Sequence, residues 1–138
     1  MNRQVDFLRV YLTLVVLLVL QACTASNPIT RAETVEQKAY ATYGTFVIFE
    51  EQAAKLVSSG QLGRSTIVKI GDADSRAKPI ADSLLDATLK FTEIREEYEA
   101  TGTGEARFIA ATKELNGWVE QALPLINNLV AAVRGAQE

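Results

Sequence analysis

The acidic side chains of this chain form two groups that could do chemistry. Glu93, Glu96, Glu97 and Glu99 lie close together, and Gly71-Asp72-Ala73-Asp74 holds two further carboxylates. Paired carboxylates can act as general acid and base, and clusters of them can hold a metal ion. Either chemistry would need the fold to bring further groups beside them.

Neither acidic group completes a recognisable site. A calcium loop of the EF-hand type runs over about twelve residues and ends in a bidentate Glu, whereas Pro79 and Ile80 stand where that loop would continue. Arg95 interrupts the glutamate run, and the chain has no histidine for a Glu-x-x-His iron site or for acid–base work. We therefore interpret Asp72 and Asp74 as acids near a helix N-terminus and the glutamates as a solvated helix face. We expect no catalytic residue, metal or cofactor.

The only cysteine, Cys23, follows an apolar segment. Residues 11–20 are almost entirely apolar, Arg3 and Arg9 make the preceding segment basic, and Leu20-Gln21-Ala22-Cys23 ends the run. An apolar run of about ten residues is typical of a signal peptide and shorter than the ~20 residues that span a bilayer. The segment resembles the signal peptide and lipobox of bacterial lipoproteins, in which a small residue before the cysteine permits cleavage and the thiol receives a diacylglycerol.

The resemblance implies cleavage between Ala22 and Cys23 and a membrane anchor of acyl chains on Cys23. Each buried CH₂ contributes ~0.8 kcal/mol, so two or three chains would hold the protein on a membrane. Gln21 stands where the family usually has Ala, Ser, Thr or Val. In that family an Asp after the cysteine directs the protein to the inner membrane. Thr24 stands there instead, so in a Gram-negative host the resemblance implies the outer membrane, facing the periplasm, over the inner membrane. The alternative is an uncleaved signal anchor with a free thiol.

Charge and cysteine content restrict the remaining domain. The net charge is −3, and about −4 once Arg3, Asp6 and Arg9 are removed. An acidic domain without a basic stripe does not suit nucleic acid. One cysteine allows no intramolecular disulfide, so the domain must be stabilised by packing.

Turn-rich stretches divide the chain into a signal peptide (1–22), a tether (23–33) and a helical domain (34–138). Breaks at 58–63 and 101–104 predict helices over about 34–58, 65–100 and 105–135. Thr34 and Gln37 have the spacing of a capping box at the start of the first helix. Because the connections are short, we expect an all-α, antiparallel, up-down-up three-helix bundle after an N-terminal helical signal segment.

Heptad spacing predicts the core of this bundle. The second helix carries two rows, Ile70, Ala77, Leu84, Phe91 and Tyr98, and Ala73, Ile80, Ala87 and Ile94. The third helix carries Phe108, Leu115, Ala122 and Leu129, and Thr112, Val119, Ile126 and Val133. The apolar positions of the first helix are Ala39, Tyr40, Tyr43, Phe46, Val47, Ala53, Ala54 and Val57.

Each predicted helix contains one residue that disfavours helix: Gly44, Pro79 or Pro124. Folding the chain about its two turns places all three at one height, which predicts a shared bend where Gly44 admits a neighbouring backbone or ring. The alternative is a break of the second helix at Lys78, because a residue before proline resists helical geometry.

Three residues are candidates for contact with a partner. Trp118 lies off the best heptad row and is either a core-edge residue or an exposed contact. Leu62 and Arg64 belong to the connection that we expect at the tip farthest from the membrane. The connection over 101–104 should face the membrane.

These features favour a non-enzymatic, membrane-anchored lipoprotein whose bundle binds a protein partner or supports an envelope assembly, with a homo-oligomer as one form of that assembly. One alternative is a phage-encoded lysis or superinfection-exclusion lipoprotein. A second is a small-molecule binder that uses the bend layer, with Tyr40, Tyr43, Arg76 and Glu120 as its polar groups.

Overall fold

The computed structural model of the protein describes residues 34–138, which form three helices and no strand. The helices are α1 (Val35–Ser58), α2 (Arg64–Thr101) and α3 (Glu105–Arg134). The predicted all-α three-helix bundle is confirmed, and the predicted helix ends fall within one residue of these bounds. The signal segment and tether lie outside the described residues.

Ion pairs between helices show how the three helices run. Glu50 and Glu36 of α1 pair with Lys78 and Arg95 of α2, so the earlier residue of α1 meets the later residue of α2. Between α2 and α3, Lys90 meets Glu114 and Glu97 meets Arg107 in the same reversed order. Neighbouring helices are therefore antiparallel, which gives the up-down-up arrangement.

The first helix begins with the predicted capping box. The Thr34 hydroxyl accepts from the Gln37 backbone N–H at 3.1 Å, and the Gln37 side-chain oxygen accepts from the Thr34 N–H at 3.1 Å. These bonds satisfy donors that a helix start leaves unpaired.

The second helix ends at a glycine. Gly102 has φ +64° and its N–H donates to the Tyr98 carbonyl at 2.8 Å. Glycine adopts this left-handed geometry without a steric penalty.

The core contains residues from all three helices. In α3 both predicted rows are buried, except that Phe108 and Thr112 are half-buried. In α2 the first predicted row is buried from Ile70 to Phe91, and Tyr98 is half-buried. Phe108 stacks on Tyr98 with ring centroids 4.9 Å apart, at the end where α2 turns into α3.

The second predicted row of α2 is partly wrong. Ala73, Ile80 and Ala87 are half-buried, whereas Ala81 and Thr88, one position further on, are buried. The buried face of α2 is therefore shifted by one position from the predicted row at these places. The buried Thr88 hydroxyl donates to the Leu84 carbonyl at 2.6 Å, which satisfies it inside the core.

The predicted apolar face of α1 is too wide. Tyr40, Val47 and Val57 are 45%, 41% and 37% exposed, and Ala54 is also exposed. The buried positions are Ala39, Thr42, Thr45, Phe46 and Ala53. The two threonine hydroxyls donate to carbonyls four residues earlier, at 2.7 and 2.8 Å. Small and self-satisfied side chains therefore form most of the narrow stripe by which α1 packs.

Both prolines lie on exposed positions of uninterrupted helices. The alternative break of α2 at Lys78 is wrong, because α2 is continuous from Arg64 to Thr101 through Pro79. Pro124 lies likewise inside α3. Exposure explains this tolerance, since a carbonyl that loses its helical donor at the surface can bond to water.

The explanation expected for Gly44 is also wrong. Outside its own helix backbone and chain neighbours, no heavy atom lies within 4 Å of the position that a Cβ would occupy. Neither a backbone nor a ring approaches closely there. A bend shared by Gly44, Pro79 and Pro124 stays a prediction. Within residues 34–138, no helix combines the length and the apolar character needed to cross a bilayer.

We expect Leu84→Ala to lower the free energy of unfolding by about 2–5 kcal/mol, because it empties a fully buried position in the core. The matched control is Leu89→Ala in the same helix, where the side chain is 50% exposed and the change should stay within about 0.5 kcal/mol. Urea denaturation followed by circular dichroism measures both. Equal losses in the two variants would contradict the core described above.

Gly44→Ala should raise the free energy of unfolding by about 0.5–1 kcal/mol, because the added methyl meets open space and reduces the entropy of the unfolded chain. Gly102→Ala should lower it by about 1 kcal/mol, since alanine is strained at positive φ. The same denaturation assay applies. A lower free energy of unfolding in Gly44→Ala would contradict this prediction, because it would mean that a neighbouring atom lies close to the added methyl group.

Candidate functional site

The predicted lipidation site is not among the described residues. Ala22 and Cys23, and with them the cleavage and acylation chemistry, lie outside residues 34–138. The structure therefore bears on the partner contacts and on the surface of the bundle.

Trp118 lies at the edge of the core, as one of its two interpretations predicted. Its ring is half-buried and packs against the buried cluster. It also lines a shallow groove of about 260 Å³ between α2 and α3. Across this groove the Lys90 ammonium lies 3.5 Å from a Glu114 carboxylate oxygen. The remaining lining residues are Ser83, Asp86 and Ala87.

The structure does not bring the three candidate contacts together. Leu62 is half-buried and packs on the core, and Arg64 is exposed as the first residue of α2. Trp118 faces α2 near Ala87, which lies about 35 Å along the helix from Arg64 at ~1.5 Å per residue. Leu62 and Arg64 therefore belong to one end of the bundle, and Trp118 belongs to its middle.

A second groove, which the sequence did not predict, lies between α1 and α2. We call it the α1–α2 groove; it has a volume of about 320 Å³. It is lined by Glu50, Ala53, Ala54 and Val57 of α1, and by Ile67, Ile70, Gly71 and Asp74 of α2. Its concave shape follows from small residues that face each other, since Gly71 has no side chain and nothing lies within 4 Å of its Cβ position. The groove adjoins the connection that contains Leu62.

One carboxylate oxygen in the α1–α2 groove has no partner. Asp74 Oδ1 is buried and makes no hydrogen bond among the described residues. The nearby Lys78 ammonium is instead bonded to Glu50, with Nζ 2.5 Å from Oε1. Burial raises the pKa of Asp74 above its ordinary value, the charge of Glu50 raises it further, and Lys78 partly opposes both. The groove therefore holds a carboxylate whose charge is poorly compensated.

Several of the other acidic residues form surface ion pairs. Arg76 bonds to Asp72 at 3.2 Å, and Arg95 bonds to Glu99 at 3.1 Å. All members of the glutamate run are exposed, which confirms the solvated face. The helix N-terminus proposed for Asp72 and Asp74 is wrong, because α2 begins at Arg64, two turns earlier.

Within residues 34–138, no three acidic or cysteine side chains are grouped so that they could hold a metal ion. The polar groups named for a small-molecule site do not converge on either groove. The Tyr40 hydroxyl lies 3.4 Å from the Thr92 hydroxyl, Arg76 is engaged by Asp72, and Glu120 is exposed on α3. Compared with protein-family models, curated proteins and solved structures, the chain matches none.

Asp74→Asn tests the electrostatics of the α1–α2 groove. The pKa of Asp74 is raised above 3.8 in the folded protein. Below that pH the folded and unfolded states both bind its proton, so this group does not change the free energy of unfolding. As pH rises through the window from 3.8 to the folded pKa, the native state gives up a proton that it holds more tightly, and stability falls. The variant lacks this penalty.

The melting temperature of Asp74→Asn relative to wild type should therefore increase between about pH 4 and pH 7. Asp72→Asn, which removes one carboxylate from the exposed pair with Arg76, is the control. Thermal melts by circular dichroism at several pH values measure the difference. A relative melting temperature of Asp74→Asn that falls over this range would contradict an unpaired carboxylate.

Proposed function

We propose that the protein is a non-enzymatic lipoprotein of the cell envelope whose helical bundle binds a protein partner or supports an envelope assembly. The observation that carries this proposal is the order of features along the chain. A basic segment, an apolar run and a lipobox-like Leu20-Gln21-Ala22-Cys23 precede the rest of the tether and a bundle that begins with its own capping box at Thr34.

The direction of the helices supports this arrangement. The start of α1 and the α2–α3 connection lie at one end of the bundle, and the α1–α2 connection and the end of α3 lie at the other. An anchor attached through the tether would place the first end toward the membrane. α2 has 38 residues, so at ~1.5 Å per residue the far end would stand about 55 Å beyond it.

The surface offers contacts for a partner. Large apolar side chains are exposed on all three helices, among them Ile48, Val68, Leu89 and Ile109, with exposed fractions from 50% to 62%. Apolar side chains that remain exposed after the helices pack are available to another protein. We assign the protein to the outer membrane, facing the periplasm, on the basis of Thr24 after the cysteine.

The intact mass of protein extracted from membranes tests the anchor. We expect the wild-type mass to correspond to residues 23–138 plus acyl chains. Cys23→Ala should keep residues 1–22 and carry no lipid, because the thiol that accepts the diacylglycerol is gone. Thr24→Ala, which changes the next residue and keeps the cysteine, is the control and should be processed like wild type.

An unmodified, full-length mass for the wild type would contradict the lipoprotein proposal. The same result for wild type and Cys23→Ala would do so as well, since processing would then not depend on the thiol.

A further inference from the structure

We propose that the α1–α2 groove is a docking site for a partner protein segment that inserts one Lys or Arg side chain flanked by aliphatic side chains. This inference rests on the proposed function as a partner-binding envelope protein, and it names the surface and the chemistry of the contact. The groove lies in the half of the bundle away from the start of α1.

The first argument is the shape of the groove. Ala53, Ala54 and Gly71 leave a concave surface, and Val57, Ile67 and Ile70 make its lining apolar. A volume of about 320 Å³ is at the lower end of small-ligand sites, which are usually enclosed and measure about 300–1,000 Å³. This groove is open to solvent along two helices. An open, apolar groove between helices suits the side chains of a docked segment.

The second argument is charge. The acidic side chains in the groove are Glu50 and Asp74, and the nearest cation, Lys78, is bonded to Glu50. The buried Oδ1 of Asp74 has no donor among the described residues. A Lys or Arg side chain in the groove would place a positive charge beside the Asp74 carboxylate, for which the described residues supply no ion pair. Its aliphatic stem would lie along the apolar lining, whereas an anionic segment would be repelled by the Asp74 carboxylate.

The third argument is that the open groove lowers the stability of the bundle only a little. Larger residues at positions 54 and 71 would close it, since Ala54 is exposed and the Cβ position of Gly71 faces open space. Packing between α1 and α2 is also the least extensive of the three helix pairs. The stability of the bundle therefore rests mainly on other contacts, which leaves this surface available for binding.

A photo-crosslinking amino acid at position 54 of the full-length chain, expressed in its host cells, tests the proposal. The matched control carries the same amino acid at Ala131, an exposed alanine on α3 outside the lining of the groove. We expect an adduct from position 54 with a different protein, and the crosslinked segment should contain Lys or Arg within one helical turn. Adding Asp74→Asn should reduce its yield about tenfold or more while leaving any adduct from position 131 unchanged.

Several outcomes would overturn the proposal. An adduct from position 54 that is insensitive to Asp74→Asn, or that maps to a segment without a basic residue, would do so. An adduct with a second copy of this chain, or none from position 54, would equally exclude a distinct basic partner there. Adducts from position 131 alone would overturn this docking site and leave the proposed function intact. A thermal melt of Asp74→Asn shows that a lost adduct does not reflect unfolding.

Discussion

Packing of α1 and α2 against α3 is the interaction on which this structure depends, because these two contacts are the more extensive of the three helix pairs. The buried residues of α3 run along its length, and α1 and α2 both pack against this helix; they are Leu115, Val119, Ala122, Ile126, Leu129 and Val133. No disulfide within the chain can cross-link the helices, since Cys23 is its only cysteine. The burial of apolar surface must therefore offset the entropy lost on folding.

The two sides of α2 use this core differently. On the α3 side, most buried residues of α3 are large and aliphatic, and Phe108 stacks on Tyr98 at the end. On the α1 side, the buried stripe consists mostly of alanine and threonine, with Phe46 as its one large residue. Small residues give shallow packing, which leaves the α1–α2 groove open where Ala54 meets Gly71. The same asymmetry that weakens this contact therefore leaves the groove that we propose as a docking site.

Sequence periodicity predicted α3 and the first row of α2 well, because large aliphatic residues at heptad spacing have one favourable place, the core. The prediction failed for α1, where Tyr40 and Val47 match the apolar pattern and yet lie exposed. A pattern shows which residues are apolar but not how wide a face the neighbouring helices cover. Thr42 and Thr45 were missed because each hydroxyl is satisfied by its own helix, so a polar residue enters the core without a visible partner in the sequence.

The α1–α2 groove could be inferred only in part. Small residues such as Ala53, Ala54 and Gly71 suit either close packing of two helices or an open groove between them. Which of the two forms depends on how α1 lies against α2. The unpaired state of Asp74 is not predictable either. Lys78 lies four residues later on the same helix, which is the spacing of an ion pair. In the structure, Lys78 instead forms its ion pair with Glu50 of α1. The charge of the groove therefore depends on whether Lys78 pairs with Asp74 of its own helix or with Glu50 of α1.

The α1–α2 groove is the surface through which we propose that the bundle binds its partner. Filling it tests the claim most directly. Gly71→Leu in the full-length chain places a side chain into the open groove and exchanges a poor helix former for a good one. Gly117→Leu on α3, whose Cβ position also meets no atom within 4 Å, is the control for the same change elsewhere. Crosslinking in cells from position 54 should lose its partner adduct in Gly71→Leu and keep it in Gly117→Leu, with the bundle folded in both. An adduct that survives in folded Gly71→Leu would contradict the account.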